Sequence, residues 1–162
     1  MEIVYYVAAS LDGFIATPGG GIEWLKPFEG GVEDYGYGEF YSSIEGVLLG
    51  RITYEKALQF PEWPYTGKPY WVFSGSNENS PSSVVAEMQA RGLRRAWLVG
   101  GGKLAAAFRA EGLITEHIVS VIPLLLGGGI PLFDGPGPRE LLRLVSSKPY
   151  DSGIVQLRYR KE

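Results

Sequence analysis

In Val47-Leu48-Leu49-Gly50-Arg51-Ile52-Thr53-Tyr54-Glu55, three apolar residues run into a glycine and then into a segment with helical spacing. The apolar run is a short buried strand, and Gly50-Arg51 leads it into a helix over 52–59. The same junction recurs twice downstream. Tyr70 to Phe73 is a strand ending at Ser74-Gly75-Ser76, with Ser82 or Ser83 placed to cap a helix that reaches Arg91. Ala96 to Val99 is another, closing at Gly100-Gly101-Gly102 before a helix over 104–110. Short strands alternating with helices of three turns or less predict an α/β sheet that is largely parallel.

Upstream, Ile3 to Ala9 is an apolar, β-branched and aromatic run, as expected of a central strand buried on both faces. Residues 10–21 form a turn-rich loop, with Asp12-Gly13 and Pro18-Gly19-Gly20-Gly21 around the short apolar piece Phe14-Ile15-Ala16. From Val32 to Ile44, the spacing of Tyr37, Phe40, Tyr41 and Ile44 predicts an amphipathic helix. Beyond Thr115 come a strand over 115–122, a glycine-rich loop at 127–129, and paired strands over 141–147 and 154–160 around the Tyr150-Asp151-Ser152-Gly153 turn. The carboxy-terminal third therefore reads as antiparallel. No repeat, low-complexity tract or linker divides the chain, so one domain spanning 1–162 is expected.

Composition narrows the function classes. Fifteen Lys and Arg against 18 Asp and Glu give a net charge of -3, which offers no electrostatic footprint for nucleic acid or an anionic membrane. The absence of cysteine excludes disulfides, thiolate chemistry and cysteine-rich zinc sites, and it fits a reducing, cytoplasmic setting. With His117 as the single histidine, no metal is expected. No apolar run approaches the roughly 20 residues of a membrane helix, and the first segment, without a basic leader or cleavage site, reads as a strand. Expected partners are thus small molecules.

Three strand ends opening into glycine-containing turns before helices carry the chemistry. Helix amino termini present unpaired N–H groups and a positive dipole end, so several of them on one sheet edge make a cradle for phosphates. The functional reading puts a dinucleotide there; the alternative is that each glycine simply permits a tight turn. Neither a P-loop nor a G-x-G-x-x-G fingerprint is present.

Residues 47–55 and Leu98-Val99-Gly100-Gly101-Gly102 resemble the two dinucleotide-binding segments of dihydrofolate reductases, and Ala8 to Ile15 resembles that family's first strand and mobile loop. Glu116-His117-Ile118 and the run from Pro123 to Phe133 are more similar to the carboxy-terminal reductase domain of the riboflavin-biosynthesis deaminase-reductases. The resemblance spans about Ile3 to Arg160. It implies a three-layer dihydrofolate-reductase-like fold, with a mixed, mostly parallel sheet and an antiparallel carboxy-terminal hairpin. It also implies NADPH as hydride donor, a pterin-like or ribosylamino-pyrimidine-like substrate, and a homodimer, to which the apolar stretch from Ile118 to Leu126 also points. By matching positions, Ala8 and Ile15 flank the nicotinamide, and Gly50, Arg51 and Thr53 the phosphates. Ser74 and Ser76 take the adenosine end, and Val99, Gly101, Gly102 and Leu104 the pyrophosphate segment.

Reduction of a C=N or C=O bond also needs a proton, which a carboxylic acid in an apolar cleft can supply. Asp34 falls, by the resemblance, where folate reducers keep their substrate-binding acid; it equally suits a solvated first-turn acid favoured by the helix dipole. Glu116, at a strand start, either binds substrate or orients a water, or is an edge charge. His117 alternates with it and should point to the opposite face as a structural residue. Trp24, Tyr35, Tyr37 and Phe40 line a flat cleft or belong to the core. Against the reductase stands a non-catalytic module that keeps the fold, binding a nucleotide or serving as a dimeric interaction surface.

Overall fold

A computed structural model describes residues 1–75 and 79–162. Its chain order is β1 (Glu2–Ser10), β2 (Phe14–Ala16), a 3-10 turn over Glu23–Phe28, α1 (Tyr37–Ser43), β3 (Gly46–Gly50), α2 (Arg51–Ala57), β4 (Tyr70–Phe73) and α3 (Pro81–Ala90). Then follow β5 (Arg95–Gly100), α4 (Gly102–Ala110), β6 (Glu116–Ile122), β7 (Ile130–Pro131), β8 (Leu142–Pro149) and β9 (Val155–Lys161). Seven strands form one sheet in the order β4-β3-β5-β1-β6-β9-β8, and β2 pairs with β7 in a small separate ladder. β1 is central and parallel to both neighbours, with Glu2 opposite Arg95 and Val4 opposite Glu116.

Alternation along β1 sends Ile3 and Tyr5 to one face and Val4 and Tyr6 to the other, and each face carries its own core. On the first, Ile3, Tyr5, Leu48 and Leu98 pack with Val84, Val85 and Met88 of α3 and Leu104, Ala105 and Phe108 of α4. On the second, Val4, Val47, Leu49 and Trp97 pack with Phe40 and Ile44 and with Tyr65. Helices on both faces of the sheet give the expected three layers.

Four expectations change in detail. The helix read over 32–44 begins only at Tyr37, because Tyr35 (φ 56°) and Gly36 (φ 79°) are left-handed and Val32 lies fully exposed. Helix α3 is capped by Ser80 rather than Ser82 or Ser83, with Pro81 in the first helical position and Ser83 bonding back to the cap. The carboxy-terminal third is only partly antiparallel: β6 runs parallel to β1, and the antiparallel pairs are β6-β9 and β9-β8. Phe14-Ile15-Ala16 is a strand held by residues 130–131, a pairing too short to leave a sequence signal.

Candidate active site

The parallel strands β3, β4 and β5 are neighbours, so their carboxyl ends open on one edge, with Gly50 opposite Phe73 and Leu49 opposite Gly100. Gly50 is the N-cap of α2 and Gly101 the N-cap of α4. The two mouths touch: a Cβ on Gly50 would come within 3.3 Å of the Gly100 carbonyl and 3.4 Å of the Gly101 nitrogen. From the Cβ position of Gly101, the Thr53 hydroxyl stands 3.9 Å away. At Gly102 a side chain is excluded outright, since its Cβ would lie 2.5 Å from the Pro131 carbonyl. That close approach seats the first turn of α4, including the buried Leu104, against the β7 loop.

Gly50, Thr53, Gly101 and Gly102 are therefore brought together, with half-buried Val99 just before them. Arg51 is beside them but exposed, its guanidinium 3.8 Å from Glu55 one turn on. Ser74 is half-buried at the end of β4, while Ser76 lies outside the described residues. The half-buried Ala8 and Ile15 come from β1 and β2, where the first loop leaves the sheet.

At the same carboxyl edge of the sheet, at the ends of β1 and β6, is a cavity of about 180 Å³. Tyr6 and Ala8 of β1 and Ser120 and Ile122 of β6 form its floor, Leu25 and Phe28 of the 3-10 turn one wall, and Asp34, Tyr35 and Ile154 another. Its polar groups are linked. The Gln156 side-chain amide donates to Ser120 Oγ at 3.2 Å and to the Tyr35 carbonyl at 3.1 Å, and it also contacts the Tyr6 phenol. The Tyr35 hydroxyl is 3.0 Å from that of Ser152, tying the cavity wall to the β8-β9 turn.

Asp34 Oδ1 accepts from the Gly36 N–H at 2.9 Å and Oδ2 from the Gly38 N–H at 3.1 Å. These bonds hold its carboxyl below the ordinary aspartate range, so at neutral pH it is ionised. An ionised carboxylate accepts hydrogen bonds and has no proton to give. Burial instead pushes the Tyr6 phenol up to about 12, keeping its proton in place.

Glu116 is elsewhere. It sits at the amino end of β6, fully buried, with Arg95 at 3.3 Å, Arg160 at 3.9 Å and Arg158 paired to its other oxygen. Two ladder repeats separate it from Ser120, so it belongs to an ion-pair cluster with Glu2 at the opposite end of the sheet. Of the four aromatics read as cleft or core, Tyr35 lines the cavity, whereas Phe40 stacks under the Tyr6 ring at 4.2 Å as core. Tyr37 packs against Trp97, and Trp24 bonds the Gly21 carbonyl. Ser120 and Gln156 escaped the sequence reading, because polar residues alternating along a strand look like a solvated face until the partner element is known.

The sequence profile of the RibD C-terminal domain matches residues 68–156. Protein YwjB of Bacillus subtilis is 40% identical over 98% of this chain and 97% of its own length, and YyaP of the same organism is 30% identical over 98% and 94%. Among solved structures, a putative riboflavin biosynthesis protein from Shewanella superposes with a TM-score of 0.89 at 28% identity, covering 100% of this chain and 99% of that one. A Thermotoga maritima diaminohydroxyphosphoribosylaminopyrimidine deaminase/5-amino-6-(5-phosphoribosylamino)uracil reductase shares the fold, with a TM-score of 0.75 at 16% identity over 99% of this chain and 56% of its own. A profile that spans more than half of the residues, together with relatives matched from end to end, makes this chain a member of the RibD C-terminal domain family.

Proposed function

We propose that the chain is an NADPH-dependent oxidoreductase that reduces a planar heterocycle, pterin-like or pyrimidine-like, held in the cavity at the ends of β1 and β6. The observation that carries this reading is the contact between the Gly50 and Gly101 mouths on the same carboxyl edge of the parallel strands as that cavity. The cradle fits a dinucleotide: Gly50 and Gly101 leave backbone where side chains would stand, and the first-turn N–H groups of α4 have no partner within the helix. Gly101, Gly102 and Leu104 would hold the pyrophosphate, Thr53 and Arg51 the adjoining phosphate, Ser74 the adenosine end, and Ala8 and Ile15 the nicotinamide. When bound, NADPH supplies the hydride. The chain's own residues orient the acceptor and manage the proton.

Asp34 accepts N–H groups from the heterocycle edge, since each of its oxygens keeps a lone pair beyond its backbone bond. Tyr6 presents a neutral phenol, its proton held in place by burial, as a hydrogen-bond donor that polarises the acceptor bond, and water delivers the proton that completes the reduction. Glu116 takes no part in this scheme. The chain also acts as a homodimer in the cytoplasm, where reduced NADPH is replenished. Ile118 and Ile122 are buried in the interior strand β6, so the apolar residues of the edge strand β8, of which Leu144 is 52% exposed, are the surface for pairing instead.

Titration with NADPH, followed by nicotinamide fluorescence, is expected to give one saturable site. A screen of heterocycles for NADPH oxidation should then find an acceptor whose turnover falls at least tenfold in Tyr6→Phe. Absence of NADPH binding would sink the reductase reading.

A further inference from the structure

We propose that the cavity is a charge filter: it admits uncharged or cationic heterocycles and turns away those that carry a phosphate. This rests on the reductase reading for its occupant and goes beyond it in naming the class of substrate. The lining holds two carboxylates, Glu29 and Asp34, and among the described residues it holds neither lysine nor arginine. A phosphomonoester carries between one and two negative charges at neutral pH and is bound by cations that meet its oxygens in pairs, or by clustered backbone N–H groups.

Neither is on offer. Backbone N–H groups along the wall are already taken, that of Tyr35 by Glu33 and those of Gly36 and Gly38 by Asp34. Of the basic residues on the flanking elements, Lys26 of the 3-10 turn is exposed and stands outside the lining, and three others are engaged elsewhere. Arg158 of β9 pairs with Glu116 at the far end of the sheet, and Lys56 of α2 donates to the Gly20 carbonyl. Lys148 of β8 lies 5.1 Å over the Tyr150 ring, whose edge in turn meets Tyr35 at 4.7 Å, so two rings stand between that ammonium and the cavity.

Like charges brought close together repel even at high dielectric, and more strongly where water is thinned out. Two lining carboxylates facing a phosphate thus amount to tenfold or more in affinity. The walls of Tyr6, Phe28 and Tyr35 suit a flat ring, and Asp34 suits its N–H edge. The Thermotoga maritima protein of the same fold is named for a substrate with a phosphoribosyl group. This cavity suits the corresponding molecule only after the phosphate is removed, so a phosphatase-type step would precede it.

The test uses the full chain with NADP+ saturating, so that nucleotides cannot enter the cofactor mouth, and matched pairs of guanosine with guanosine 5′-monophosphate and uridine with uridine 5′-monophosphate. Calorimetry is expected to show the nucleoside binding at least tenfold more tightly than its monophosphate in the responding pair. Glu29→Lys, at an exposed position, should erase that difference by raising affinity for the monophosphate and leaving the nucleoside within about threefold. A monophosphate that binds wild type as tightly as its nucleoside overturns the proposal, as does an unchanged ratio in Glu29→Lys or silence from both nucleosides. NADP+ saturation, measured first, reports on the reductase reading separately.

Discussion

His117 shows how a single side chain records its surroundings. It points away from the cavity, as strand alternation predicts, and is wedged between the Tyr5 and Phe133 rings with centroids 6.5 and 5.9 Å away. Its Nε2 is buried and has no hydrogen-bond partner among the described residues. Burial lowers its pKa, so the folded protein keeps the ring neutral where the unfolded chain would protonate it. The sign follows from proton uptake. Below about pH 6.5 the unfolded state binds one more proton than the folded state, and stability declines as pH falls toward the lowered native value. His117→Phe is expected to flatten the slope of unfolding free energy against pH between about 6.5 and 5, as read by urea denaturation. An unchanged slope would locate the acid sensitivity elsewhere.

At the scale of elements, the junction of β5 with α4 depends on the absence of one Cβ. Gly102→Ala would drive a methyl group into the Pro131 carbonyl at 2.5 Å, and backbone cannot yield there without moving β7 and the β2 strand paired with it. A loss of about 2–4 kcal/mol is expected in chemical denaturation, along with weaker NADPH binding. Gly19→Ala, where a Cβ meets nothing within 4 Å, should change neither.

The sequence disclosed these elements unevenly. Continuous apolar runs such as 47–49 and 70–73 marked the parallel strands to within a residue, because strands buried on both faces carry no competing polar signal. Residues 32–36 misled: helical spacing extended past the true start, and nothing in the spacing registers that Tyr35 adopts a positive φ. The glycine mouths were legible one by one. Their contact with each other was not, since it depends on the strand order β4-β3-β5, which pairs segments distant in sequence. For Asp34 the residue could be named, but its ionisation depends on two backbone N–H groups visible only in the fold.

Across the whole molecule, the sheet is covered unevenly. Helices α3 and α4 pack over the β4-β3-β5-β1 half, while β8 at the far edge is exposed along its length, with Leu142, Leu144 and Val145 at 39%, 52% and 42%. An open edge strand with an apolar surface is a liability that association removes. The expected outcome is a dimer at micromolar concentration by light scattering, shifted toward monomer in Leu144→Lys with the NADPH site intact. A monomeric wild type would leave β8 without a partner and withdraw the homodimer from the reading.

The central place of β1 bears on how the polypeptide acquires its shape during synthesis. This strand leaves the ribosome before both of its ladder neighbours, which start only at Arg95 and Glu116. Until most of the message has been translated, an apolar ribbon must therefore wait unpaired, and the fold cannot close vectorially from the amino end. The pairing of β1 is thus a late event in synthesis.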